Sequence, residues 1–207
     1  MTSTSRRTAS TPKEDTITNT DTDIDPELLE DLVVPVNIDF ECGDQVVYPH
    51  HGAGKVVKKE SKDILGETRD YLTIKILHND MTVMVPCANA GKAGLRRIID
   101  EEAVKKVLSV LQDDVSEMPK NWNRRFKHNR DKIKTGDIYE LAEVVRNLAI
   151  RESDKGLSTG EKQMFVRAKK ILASELMYAL DKDEEAAELY LDELLAESAN
   201  GKMVAAK

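Results

Sequence analysis

Pro119-Lys120-Asn121-Trp122-Asn123-Arg124-Arg125-Phe126-Lys127-His128-Asn129-Arg130 sets the chain's single Trp among cations. From Lys120 to Lys134 the positive side chains are Lys120, Arg124, Arg125, Lys127, Arg130, Lys132 and Lys134, against Asp131 alone, in a chain of formal net charge -7. A local excess of this kind attracts a polyanion. A planar apolar ring beside it adds contact with bases to contact with phosphates. The same composition also fits a Trp buried at a helix start beneath a solvated cationic face. At about 100° per residue, Trp122, Arg125 and Asn129 share one helical face, bordered by Arg124, Lys127 and His128. A helix start there would offer unpaired N–H groups to a phosphate.

Other constellations carry less. His50-His51, with Cys42 and Cys87, lacks the ligand spacing of a zinc site, so no metal or cofactor is expected, and the His pair shapes a turn or touches a partner. Gly156-Leu157-Ser158-Thr159-Gly160-Glu161-Lys162 fails the phosphate-loop spacing and reads as a turn between helices. The N–H groups at that helix start, with Lys162, could still hold one DNA phosphate. No nucleophile stands in a recognisable relation to a base, so the chain does not read as an enzyme.

The elements that must position these residues follow from hydrophobic period and capping. The 207 residues are 40% hydrophobic, 4% aromatic and 33% charged, which suits one or two small domains with aliphatic cores. Residues 1–37 are rich in Thr, Ser and Asp, acidic, and too poor in large apolar groups to fold alone. They read as a disordered tail, in which residues 25–32 could form one helical turn. Residues 38–97 read as short strands: 45–48, 54–59, 71–77 and 81–85, with a loop at 63–67. Leu72, Ile74 and Ile76 lie on one face of the third strand, and Met81, Val83 and Val85 point inward while Thr82 and Met84 point out. Closed by tight turns, such strands form a small, strongly bent antiparallel barrel. Residues 98–198 read as about five helices. Trp122 opens the second, Gly136 closes it, Asp137 caps the third, and Ser158-Thr159-Gly160-Glu161 opens the fourth as a capping box. The last carries Leu189, Leu191, Leu194 and Leu195, and residues 199–207 lose the period and should fray. The fold class is therefore α+β. Two cysteines outside any paired motif, and no long apolar run, indicate a cytoplasmic protein.

Phe40-x-x-Gly43-Asp44-x-Val46-Val47-Tyr48-Pro49-His50-His51-Gly52 resembles the N-terminal signature of the CarD/CdnL family of bacterial transcription regulators. Asn121-Trp122-x-Arg124-Arg125-Phe126-Lys127 and Gly156-Leu157-Ser158-x-Gly160-Glu161-Lys162 resemble two further family segments in register, so the resemblance spans roughly residues 40–196. It implies a Tudor-like module that binds the β subunit of RNA polymerase, followed by a helical domain on promoter DNA at the upstream edge of the transcription bubble. Trp122 would be the wedge in the minor groove at the fork. Arg124, Arg125, Lys127 and Lys162 would face phosphates. The open complex would live longer, and the protein would act as a monomer held at the nucleoid by polymerase. On the barrel's outer face Lys62 and Met84 stand where some relatives carry Arg, so the polymerase contact here would be less electrostatic. Two other readings stay open: a stand-alone architectural DNA-binding protein, and a protein-interaction adaptor with a buried Trp122.

Overall fold

Alternating apolar residues build the first half of the fold. In a computed structural model, the described residues run from 39 to 205 except His50, Leu65, His78 and Asn79, with side chains described to Ser198. The tail and helical turn expected within residues 1–37 lie outside that range. The strands are β1 (Gln45–Tyr48), β2 (Gly52–Ile64), β3 (Glu67–Ile76), β4 (Thr82–Pro86) and β5 (Arg96–Arg97). They form one antiparallel sheet in the order β4-β3-β2-β1-β5, which with the helices that follow gives the Tudor-like α+β fold. The register shifts between Val56 and Lys58, a bulge that bends the sheet around Phe40, Val46, Val56, Leu72, Ile74, Ile76 and Val85. β2 runs past residue 59, where the sequence signal ends, and pairs onward to Ile64 opposite Glu67. Its far half carries Lys, Glu, Ser and Asp on both faces, so it has no alternation to read.

The second half is helical, with α1 (Glu101–Gln112), α2 (Trp122–Thr135), α3 (Ile138–Lys155), α4 (Thr159–Ala179) and α5 (Glu184–Ala205). Asp100, Asn121, Asp137 and Ser158 cap the first four, each accepting a backbone N–H of the opening turn. α1, α3, α4 and α5 close over Val107, Leu111, Ala142, Val145, Leu172, Leu176 and Leu191. Leu189, placed in the apolar stripe of the last helix, is instead 58% exposed, because Leu191, Leu194 and Leu195 already fill the buried face. α5 runs to Ala205, past the point where its apolar period ends. No described helix is long and apolar enough to cross a membrane.

The described residues form one compact unit, and polar contacts join its sheet to its helices. The Ala53 N–H donates to Ser174 Oγ (2.9 Å), which donates in turn to the Ile171 carbonyl (2.7 Å). Arg96 grips Glu175 with both terminal nitrogens, Nη2 lying 2.8 Å from Oε2. Glu175 is almost wholly buried, and its Oε1 also accepts the Ile99 N–H (3.3 Å). Pro49, at the tip of the β1–β2 hairpin, lies against two glycines in left-handed conformation. A Cβ on Gly94 would stand 2.8 Å from the Pro49 ring and one on Gly136 3.2 Å. Gly136 thus both ends α2 and lets the hairpin approach it.

Ser174→Ala leaves the buried Ala53 N–H without its acceptor. It should lower unfolding free energy by about 1–3 kcal/mol, read as a lower urea midpoint at unchanged slope. A native midpoint would show that another group takes over the bond.

Candidate nucleic-acid interface

The connection through residues 113–121 delivers Trp122, and a buried polar cluster fixes it. Asn147 Nδ2 donates to Ser116 Oγ (2.7 Å), Arg146 Nη2 donates to the same oxygen (3.1 Å), and the Ser116 N–H donates to Asn147 Oδ1 (3.3 Å). Arg146 Nη1 also reaches the Val110 carbonyl at 2.8 Å. Arg146 and Asn147 are 4% and 2% exposed, two polar residues inside a helix whose sequence displays only its apolar face. Asn121 then caps α2 by accepting the Arg124 N–H at 3.2 Å.

Trp122 is the first residue of α2 and is 44% exposed. The adaptor reading required a buried ring, and the ring is at the surface. Its inner face stacks on Phe126, with centroids 5.3 Å apart and planes 24° from parallel. Its Nε1–H donates to Ser158 Oγ at 2.8 Å, across the start of α4. Ser158 Oγ donates to Glu161 Oε2 (2.8 Å) and accepts the Glu161 N–H (3.4 Å). With one donor and two acceptor positions, that hydroxyl is fully engaged, which fixes the height of the indole. Glu161 Oε1 accepts Arg125 Nε at 2.7 Å, and Arg125 Nη1 donates to the Pro119 and Lys120 carbonyls (3.2 and 3.0 Å). Indole, hydroxyl, carboxylate and guanidinium thus form one continuous chain of hydrogen bonds.

This chain corrects the expectation for Arg125. The residue is 4% exposed and its donors point into the protein, so it cannot face a phosphate. The helical period grouped Trp122, Arg125 and Asn129 correctly, but that face is the packed one, and Arg125 and Asn129 are its buried polar residues. Burial alone would raise the Glu161 pKa. The bonds from Arg125 and Ser158 outweigh it and hold the carboxyl below the ordinary glutamate value.

Arg124 and Lys127, in the first two turns of α2, are exposed. Lys132 is drawn inward to Glu143. Lys162 lies on the surface, paired with Glu152 at 3.1 Å. Such an exposed pair is worth about 0–1 kcal/mol, so Lys162 can exchange it for a phosphate at little cost. At the start of α4 the reciprocal Ser158–Glu161 capping box takes two of the N–H groups there, those of Ser158 and Glu161.

The strand-side candidates come together at a distance from this site. Lys62 Nζ lies 3.5 Å from Met84 Sδ and 3.0 Å from Glu60 Oε1. Hydrogen bonds from Lys58 and Lys62 hold the Glu60 carboxyl below its usual pKa. Met84 is 47% exposed and Val57, at the bulge, 45%, so this face presents apolar surface between charges.

Two family models match: one described as CarD-like/TRCF RID domain over residues 40–99, the other as CarD, C-terminal domain over residues 106–192. The candidate transcription factor YdeB of Bacillus subtilis (strain 168) is 40% identical over 137 residues, 66% of this chain and 90% of its own. The solved structure of CdnLNt from Myxococcus xanthus is 38% identical, covering 30% of this chain and 89% of its own, at a TM-score of 0.27.

Glu161→Gln would strand a buried guanidinium and should cost about 3–5 kcal/mol in denaturant unfolding near neutral pH. A carboxylate with a lowered folded-state pKa contributes fully above its ordinary value of 4.5 and loses that contribution as pH falls through the lowered one. The gap between native and Glu161→Gln should therefore narrow below pH 4.5. A gap that is constant with pH would mean that the pair is not coupled as described.

Proposed function

The chain belongs to the CarD/CdnL family of transcription factors, and we propose that it binds RNA polymerase through residues 38–97 and promoter DNA through residues 98–198. In this reading the strand half contacts the β subunit with its Lys62–Met84 face. The helical half sets Trp122 in the minor groove at the upstream edge of the bubble. The protein acts as a monomer in the cytoplasm, brought to the nucleoid by polymerase.

The observation that carries this reading is a half-exposed indole fixed by hydrogen bonds on one edge and stacked on its inner face. An apolar wedge must be rigid to separate a base step, because a ring free to turn away loses its contact. Arg124, Lys127 and Lys162 are the phosphate contacts. They carry no base code, which suits a protein that recognises a junction. Arg125 enters the reading as the support of the wedge.

Anchoring on polymerase raises the local concentration of a weak DNA module. The sheet-to-helix contacts through Arg96–Glu175 and Ala53–Ser174 add geometry to that advantage, since they hold the wedge at one place relative to the anchor. Differential binding of about 1.4 kcal/mol in favour of the melted promoter shifts the closed–open equilibrium tenfold.

Trp122→Ala should shorten the lifetime of open complexes toward that of polymerase alone, with native retention on polymerase. Met84→Asp should do the reverse, reducing retention while leaving binding to isolated forked DNA unchanged. Equal open-complex lifetimes with Trp122→Ala and native protein would refute the wedge role.

A further inference from the structure

A second feature adjoins the wedge. Phe126, on which Trp122 stacks, is also one wall of a groove of about 530 Å³ between α2 and α4, open to solvent. Phe126, Ile133 and Met164 form its apolar floor, and Arg130, Lys134 and Arg167 stand on its rim. Among the described residues no carboxylate lines it, although Asp131 lies 3.9 Å from Arg130, whereas a cavity of similar size lined by Met118 and Pro119 carries Glu117 and Asp154 among its cations. At Gly160 an added Cβ would stand 3.4 Å from the Phe126 ring and 3.8 Å from the Trp122 ring. The passage from wedge to groove therefore crosses a residue without a side chain. Beyond it along α4, Val166 is 51% exposed and lies with Lys162 and Lys170 in a continuing shallow patch.

We propose that this groove receives one unpaired base of the strand that Trp122 opens, its faces on Phe126, Ile133 and Met164 and its phosphates on the cationic rim. The inference rests on the wedge reading and adds what becomes of the base once it leaves the stack. An apolar floor beside a rim that carries Arg130, Lys134 and Arg167 is the pairing that single-stranded nucleic acid takes, and the volume lies within the range of small-ligand sites. A helical peptide laid in the groove would cover the floor but, unless acidic, would bring no negative charge to the rim. Every base has a π-face, so capture here is tolerant of sequence.

The test uses the full chain at one fixed low salt concentration with three probes. These are a blunt duplex, the same duplex with a short unpaired extension, and that fork with its first unpaired base removed to leave an abasic site. The base-bearing fork should bind more tightly than the abasic fork by between about fivefold and about 100-fold, the range that stacking one base supplies. Lys134→Glu combined with Gln163→Glu, both at exposed positions, should weaken both forks and shrink that ratio, with an unchanged thermal midpoint. Equal affinity for the two forks, with Trp122→Ala still weakening both, would overturn the groove and leave the wedge standing. Binding indifferent to Trp122→Ala would overturn both. Native fork binding by the double variant, with reduced retention on polymerase, would make the groove a protein contact and likewise overturn the inference.

Discussion

The exposed indole at the start of α2 stands on one buried ion pair. Arg125 and Glu161 are 4% and 1% exposed, so each has left water entirely. Removing opposite charges from water is costly, and mutual attraction offsets that cost only when the remaining donors and lone pairs are also satisfied. Here the two carbonyls at the mouth of α2 take the guanidinium's second arm, and Ser158 takes the second carboxylate oxygen. An apolar pair of equal volume could fill the same space, but it would not fix the register of α2 against α4. Register is what matters, because the indole reaches Ser158 only when the two helix starts lie side by side.

A second constraint operates between the sheet and the helices. Glu175 is buried on α4, and its bidentate partner Arg96 lies on β5, the strand that leads into the helical half. One helix therefore carries, at its start, the hydroxyl and carboxylate that set the indole and, near its end, the carboxylate that fastens it to the sheet. Pro49 packed against Gly94 and Gly136 makes the same junction on the other side of α2. The Lys62–Met84 face of the sheet and the exposed indole of Trp122 are therefore parts of one connected framework.

Much of this was legible in the sequence, and what was not depends on long-range packing or on the want of an apolar pattern. Periodicity and caps located α2 from Trp122 to Gly136, the inward face of β3, and the Ser158–Glu161 capping box, because those signals are local. A helical wheel shows which residues share a face but not which face packs, so Arg125 was grouped with Trp122 and aimed outward. Glu161 was read as a cap, yet its longer-range role depends on a partner 36 residues away. Arg146, Asn147, Ser174 and Glu175 gave no signal at all, since each sits in a helix whose apolar stripe dominates the pattern. The far half of β2 was invisible for the opposite reason, having no apolar face.

The most direct measurement uses the chain's lone Trp as its own reporter. Acrylamide quenching of Trp122 emission, with and without saturating forked DNA, asks whether the supported ring meets nucleic acid. A surface ring on a polar support should emit at long wavelength and be readily quenched in the free protein, then become dimmer and shielded when the fork is bound. Emission and quenching unchanged by the fork, at concentrations where binding is shown independently, would contradict the wedge.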